Sequence, residues 1–212
     1  IMSAADTFDI FIKGKGGHGA LPHQTVDPLV AGAELVMSLQ RIVAREISPF
    51  EPAVISVCSF NSGTTFNVIP GEAHLMGTAR TFNPEIRAQY PEILERVASG
   101  VAQSTKTEIK LAYHFCPPPL INDDSCVDTG RKAAESVFGK DFLLEWEPQM
   151  GGEDFAKYSA PKCLLFLGAG FQEEKLRYPQ HSPYFDIDEN VLKLGVLYFM
   201  EYVKEYEKEL GL

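Results

Sequence analysis

The sequence is poor in cysteine, and the few cysteines it has are scattered. The 212 residues include four of them, with no CxxC pair, so neither a disulfide framework nor a zinc knuckle is indicated. No run of 18 apolar residues is present, which argues against a membrane-spanning helix, and no signal peptide is recognised. We therefore expect a cytoplasmic protein with reduced thiols. The cysteines are Cys58, Cys116, Cys126 and Cys163.

The sequence also has few basic residues compared with acidic ones. Lysine and arginine number 19 against 29 aspartates and glutamates, which gives a net charge of −10. Such an acidic chain is a poor partner for phosphate backbones or anionic lipid, so we expect neither nucleic acid nor membrane as a ligand. The hydrophobic content of 45% is sufficient for one large core or two smaller ones.

The first part of the chain predicts a ferredoxin-like domain over residues 6–117. Its strands and helices alternate as β-α-β-β-α-β, the arrangement of a four-stranded antiparallel sheet with two helices on one face. Aspartate or asparagine followed by proline marks the start of both helices. The predicted elements are strand 7–13, a helix from 27–28, strands 54–60 and 72–81, a helix from 83–84, and strand 108–115.

A different organisation is predicted after the three prolines at 117–119, which cannot continue a sheet. Helices are indicated at about 125–138 and from 188–189 onward, and the continuous apolar run 163–167 predicts a strand buried on both faces. These elements are too few for a complete α/β domain. Residues 118–212 are therefore predicted to be the C-terminal portion of a larger α/β domain.

The stretch from Gly14 to His23 is the strongest candidate for function. Several glycines surround His18, whose imidazole can exchange a proton near neutral pH. Two alternatives are a glycine-rich turn with surface histidines and a phosphate cradle. The order of the glycines does not match the GxGxxG pattern of a cradle, so we favour a functional His18.

Other candidates are spread along the chain. His181 lies in a loop after the predicted buried strand and has the setting of a metal ligand, or of a solvent-exposed loop histidine. Gly151, Gly152, Glu153 and Asp154 stand at a predicted helix start, where backbone N–H groups can face a ligand or the acids can simply cap the helix.

Asn67 and Arg80 are the remaining candidates. Asn67 can donate to a carboxylate and Arg80 can bind one with two hydrogen bonds. The alternatives are a turn residue for Asn67 and a solvated strand end for Arg80.

Taken together, these motifs resemble the C-terminal half of the metal-dependent aminoacylase and carboxypeptidase family, in particular the hippurate hydrolases and plant auxin-conjugate hydrolases. The motifs occur in family order over nearly the whole chain. They are Lys15–Ala20 with Pro22, His23, Asp27 and Pro28; Asn67–Pro70; Gly77–Thr81; Gly151–Phe155; and His181–Pro183.

The resemblance implies an amidohydrolase of N-acyl amino acids with two divalent metal ions (Zn, Mn, Co or Ni). It implies a lid domain that forms a homodimer and carries His18 into the partner's site as oxyanion donor. It also implies that His181 is a metal ligand, that Asn67 and Arg80 hold the substrate carboxylate, and that residues 151–154 line the site.

The family's His-x-Cys-Gly-His-Asp motif and Glu-Glu pair, which supply the other metal ligands and the general base, do not occur in this sequence. We therefore expect this chain alone to be inactive and metal-free. A non-enzymatic ferredoxin-like ligand-binding module and a purely structural dimerisation module remain the alternatives.

Overall fold

The computed structural model describes residues 1–211. None of the helices in this range combines the length and apolar composition that a bilayer span requires. The strands are β1 (Ala4–Lys13), β2 (Gly17–His18), β3 (Ala53–Ser62), β4 (Val68–Ile69), β5 (Glu72–Thr81) and β6 (Glu108–His114); the helices are α1 (Pro28–Arg45), α2 (Pro84–Thr105), α3 (Asp124–Phe138) and α4 (Leu192–Leu210).

The chain forms two compact units. The first contains residues 1–120 and 148–157, and the second contains residues 121–147 and 158–211. The short segment 148–157 joins the first unit because Ser3 N–H donates to the carbonyl oxygens of Gln149 (3.1 Å) and Gly151 (3.0 Å). The assignment of 6–117 and 118–212 as domains of a longer enzyme remains a prediction.

The first unit is built on a four-stranded antiparallel sheet in the order β3-β5-β1-β6. The long strands and helices follow one another along the chain in the predicted β-α-β-β-α-β order. Alternation along β1 buries Phe8, Ile10 and Ile12 on one face. The buried cluster to which α1 and α2 contribute includes Phe8, Ile10, Ile12, Leu35, Leu39, Ile42, Leu75, Ala79, Tyr90, Leu94, Val97 and Val101.

Both long helices of this unit begin at the predicted caps. The Asp27 carboxylate accepts from two backbone N–H groups of the first turn of α1, and the Asn83 side chain does the same for α2. A proline follows each cap at the first helical position, where no N–H partner is needed. The helix starts are therefore determined by local sequence.

The second unit contains α3 and α4 and has few buried side chains. Its buried positions on α3 are Thr129, Gly130, Ala133 and Ala134, whereas no residue of α4 is buried. Phe138 on α3 and Tyr198 on α4 stack with ring centroids 6.4 Å apart. Thr129 Oγ1 donates to the Glu209 carboxylate over 2.8 Å.

The prediction of a buried strand at 163–167 is wrong. No strand covers these residues in the described part of the chain, and Leu165, Phe166 and Leu167 are exposed. The Asn122 side chain bonds both the N–H and the carbonyl oxygen of Leu164 (2.9 and 3.0 Å), in place of a neighbouring strand. An apolar run becomes a strand only where backbone partners exist, and among the described residues none pairs with this run.

Strand alternation over 108–115 and helical spacing after 188–189 predict that Phe115 and Leu197 face inward, but both face outward. Phe115 is 60% exposed and follows the end of β6, where its ring lies edge-on to Tyr113. Leu197 on α4 is 49% exposed. At the predicted helix start, the structure has a short 3-10 helix, Asp154–Lys157.

Candidate active site

The loop after β1 is held against β4. His18 pairs with Val68 across the short β2–β4 ladder, and the Gly19 N–H donates to the Asn67 carbonyl oxygen over 2.9 Å. This pairing brings the backbones near His18 and Asn67, two of the predicted site residues, close together, and both residues are exposed.

The glycines of this loop allow close approach of backbones. A Cβ at Gly14 would lie 2.2 Å from the Val26 carbonyl oxygen, and one at Gly16 would lie 2.7 Å from that of Ile69. The Gly14 N–H already donates to the Gly71 carbonyl oxygen. Because backbone donors of this loop are used within the chain, the phosphate cradle has little support.

The imidazole of His18 has a defined tautomer when neutral. Its Nδ1 accepts a hydrogen bond from the Ala20 N–H over 3.0 Å, and a backbone N–H can only donate. The proton of the neutral ring is therefore on Nε2. Since the side chain is exposed, this Nε2–H can donate to a ligand.

Arg80 lies near the far end of β5 and is held from both sides. Its backbone pairs with Ala5 of β1 and Val54 of β3. The buried Tyr90 hydroxyl donates to the Arg80 carbonyl oxygen (3.0 Å), and burial raises the pKa of Tyr90 to about 12. Arg80 Nη1 donates to the Met150 carbonyl oxygen over 2.7 Å. The other guanidinium donors can still bind a ligand.

Residues 151–153 lie beside Arg80. A Cβ at Gly152 would come within 2.6 Å of the Ala5 Cβ, so only glycine permits this segment to pack on β1. The Glu153 carboxylate accepts from the Phe155 N–H over 3.3 Å, which agrees with the capping alternative for this acid. Asp154 begins the 3-10 turn and is exposed.

Asn67 and Arg80 lie at opposite ends of β5. Arg80 is eight residues along the strand from Glu72, which corresponds to about 27 Å of extended chain, and Asn67 precedes Glu72 beyond the other end. The structure therefore forms two groups, one with His18 and Asn67 and one with Arg80 and residues 151–153. Both groups of a single chain cannot contact the same carboxylate.

His181 belongs to the second unit and lies in an exposed loop. Its φ of 68° is in the left-handed region, which is uncommon for a non-glycine residue. Across residues 1–211, no three histidine, cysteine, aspartate or glutamate side chains are gathered so that they could hold a metal ion. His181 alone does not fit a two-metal centre, because such a centre needs several ligands.

A buried ion pair between Asp6 and Arg87 was not predicted from the sequence. Asp6 is fully buried, and its carboxylate accepts two hydrogen bonds from Arg87 (2.7 and 2.8 Å), one from the Tyr113 hydroxyl (2.9 Å) and one from the Cys116 N–H (2.8 Å). The hydrogen bond to Asp6 raises the pKa of Arg87, and burial raises the pKa of Tyr113. The sequence signal for this ion pair was Asp6 itself, an acidic residue on the same face of the strand as the buried Phe8.

The chain matches a known family over most of its length. The sequence profile described as peptidase family M20/M25/M40 matches residues 5–205. Thermostable carboxypeptidase 1 of Saccharolobus solfataricus is 34% identical over 201 residues, covering 93% of this chain and 50% of that protein. N-acetylcysteine deacetylase of Bacillus subtilis is 36% identical over 203 residues, covering 95% and 52%.

A plant protein and two solved structures are also similar to this chain over most of its length. An Arabidopsis thaliana IAA-amino acid hydrolase, ILR1-like 2, is 31% identical over 211 residues, covering 98% of this chain and 48% of that protein. The crystal structure of Bacillus subtilis YXEP, described as a dinuclear metal binding peptidase, superposes with a TM-score of 0.71 at 31% identity, covering 95% and 49%. A crystal structure from methicillin-resistant Staphylococcus aureus superposes with a TM-score of 0.79 at 31% identity, covering 97% of this chain and 53% of that chain. The chain thus spans about half the length of these relatives.

Proposed function

The chain belongs to peptidase family M20/M25/M40, and we propose that the protein containing it hydrolyses the amide bond of N-acyl amino acids, as hippurate hydrolases and aminoacylases do. The names of the relatives support this class, since they describe a carboxypeptidase, an N-acetylcysteine deacetylase and an IAA-amino acid hydrolase. An amide bond to an amino acid is common to the reactions that these names describe.

In this proposal the chain is the C-terminal half of such an enzyme. Residues 6–117 form a ferredoxin-like lid, and residues 118–212 form the end of the catalytic domain. The sheet order β3-β5-β1-β6 and the alternation of strands and helices support the lid. The exposed apolar residues Leu165, Phe166 and Leu167 support a partial catalytic domain, because an exposed apolar patch is typical of a surface that another part of a protein covers.

The observation that carries the proposal is the available Nε2–H of the exposed His18, on a loop that is hydrogen-bonded to the Asn67 backbone. Attack on an amide carbonyl places negative charge on the carbonyl oxygen, and a donor already oriented toward that oxygen lowers the barrier. The Ala20 N–H holds the ring by its Nδ1, so the Nε2–H is available without rearrangement. His18 is therefore assigned the role of oxyanion donor, with Asn67 as a second polar contact.

The group with His18 and the group with Arg80 lie at opposite ends of β5, and this separation is the reason to propose a dimer. If Arg80 binds the substrate carboxylate and His18 binds the carbonyl oxygen of the same small molecule, these side chains must come from different copies of the chain. A homodimer through the lid satisfies this condition, because β3 and β6 are edge strands that can pair with a second copy. The second copy then contributes a residue that the first cannot supply to its own site.

The metal centre of the proposed enzyme needs residues outside this chain. The family relative described as dinuclear supports two divalent ions, and His181 would be one ligand among several. When bound, such ions activate water and polarise the carbonyl group. What the described residues contribute is recognition of the carbonyl oxygen and the carboxylate.

Substrate kinetics with the full-length protein test this proposal. Arg80→Ala should raise KM for an N-acyl amino acid by roughly 10- to 150-fold, the loss expected for hydrogen bonds to a charged group. The methyl ester of the same substrate offers no charge, so its KM should change little. Equal loss for acid and ester would contradict the role of Arg80, and absence of amide hydrolysis by the unmodified protein would contradict the proposed function.

A further inference from the structure

The carbonyl oxygen of Met150 accepts two hydrogen bonds, and only one of them comes from Arg80. The other comes from the Ser3 hydroxyl, with Oγ 2.9 Å from the same oxygen, while Arg80 Nη1 lies 2.7 Å from it. Ser3 is 1% exposed, so water does not compete for this bond. A buried serine and the proposed carboxylate-binding arginine therefore share one acceptor.

We propose that Ser3 positions Arg80 for carboxylate binding by fixing the Met150 carbonyl oxygen to which the guanidinium donates. This inference rests on the proposed function. Ser3 itself does not touch the substrate, so it is a positioning residue.

The backbone around Ser3 is held firmly enough for this role. The Ser3 N–H donates to the carbonyl oxygens of Gln149 and Gly151, and the Gln149 N–H donates to that of Ile1. The Met150 peptide is thus flanked on both sides by bonds to residues 1–3. With the peptide held, the hydroxyl of Ser3 sets the orientation of the one carbonyl that faces Arg80.

The geometry of the guanidinium explains why this orientation matters. The five N–H donors of arginine lie in one plane, so a bond at Nη1 constrains the rotation of the whole group. The Arg80 backbone is fixed independently by Tyr90 and by strands on both sides. The Met150 carbonyl oxygen is therefore the contact that selects which way the remaining donors point.

A double-mutant cycle in the full-length protein tests the inference. Ser3→Ala removes one oxygen, and we expect KM for an N-acyl amino acid to rise roughly 2- to 10-fold, with kcat and the KM of the methyl ester unchanged. In an Arg80→Ala background, the same change should have no further effect on KM, because the group that Ser3 positions is absent. Ser3→Thr, which keeps the hydroxyl, should restore KM.

The controls separate the possible failures. Ser104→Ala, on the exposed surface of α2, should leave KM unchanged, and thermal melts should show that each variant is folded. Equal effects of Ser3→Ala in both backgrounds, or equal effects on acid and ester, would overturn the positioning role. If Arg80→Ala is selective for the acid but Ser3→Ala is silent, only this inference fails. If Arg80→Ala is not selective, the proposed carboxylate site and this inference both fail.

Discussion

Two impaired variants should restore each other's activity if the site is shared between subunits. His18→Ala removes the proposed oxyanion donor, and Arg80→Ala removes the proposed carboxylate ligand. Arg80 lies near one end of β5, and His18 lies on the loop beyond the other end, which begins at Glu72, about 27 Å of extended strand from Arg80. A mixed dimer would contain one site with both residues and one site with neither.

The expected recovery follows from this arrangement. His18→Ala should lower kcat/KM by about 10²- to 10³-fold, and Arg80→Ala by roughly 10- to 150-fold. Random exchange of subunits makes half of the dimers mixed, and each mixed dimer has one complete site of two. The mixture should therefore reach about a quarter of the native activity in a two-fold symmetric dimer.

The assay uses full-length variants at a substrate concentration well below KM, so that both defects are visible. Subunit exchange is verified by mass spectrometry of differently tagged copies. Activity that stays at the average of the separate variants, although exchange is complete, would refute the shared site. His23 provides the control, since it lies exposed in the same loop and His23→Ala should retain full activity without mixing.

Three predictions concern the stability of the chain itself. Gly152→Ala should lower the melting temperature because the new Cβ would lie 2.6 Å from that of Ala5, whereas Gly100→Ala, with nothing within 4 Å, should stabilise the chain by about 0.5–1 kcal/mol. Asp6→Asn should lower the free energy of unfolding by about 3 kcal/mol or more, because it leaves the largely buried Arg87 without its charged partner. Urea denaturation measures this free energy, and a loss below about 1 kcal/mol would contradict the prediction. The free energy of unfolding should fall as pH rises from about 10 to about 12, because burial raises the pKa of Tyr90 to about 12 and also raises the pKa of Tyr113, so the unfolded chain loses these protons first. Tyr90→Phe should reduce this slope, and an unchanged slope would count against the role of Tyr90.

Local sequence determined the elements of the first unit. The caps Asp27 and Asn83 start their helices because short-range hydrogen bonds suffice for that. Alternation in β1 and β5 placed the apolar residues on one face, because the side-chain period of a strand is fixed at two. The apolar run 163–167 misled the prediction, since its meaning depends on neighbours that lie elsewhere in sequence.

The motifs around His18, Asn67, Arg80 and residues 151–153 were recognisable from the sequence as a family pattern. Their grouping was not, because it depends on long-range pairing. Only the tertiary structure placed His18 beside Asn67 through the β2–β4 ladder and separated both from Arg80 by the length of β5. Likewise, the sequence left open whether the glycine pair faces a ligand or begins a capped helix, whereas the structure shows that Gly152 is required by its close contact with Ala5.

The sequence by itself therefore determined the helix caps and the buried face of the sheet, which follow from residues a few positions apart, and the family resemblance, which follows from the order of short motifs along the chain. The tertiary structure decided which side chains meet. The bond shared by Ser3 and Arg80 on Met150 joins residues up to 147 positions apart. No periodicity predicts such a contact, because it exists only after the sheet has formed and segment 148–157 has packed on β1.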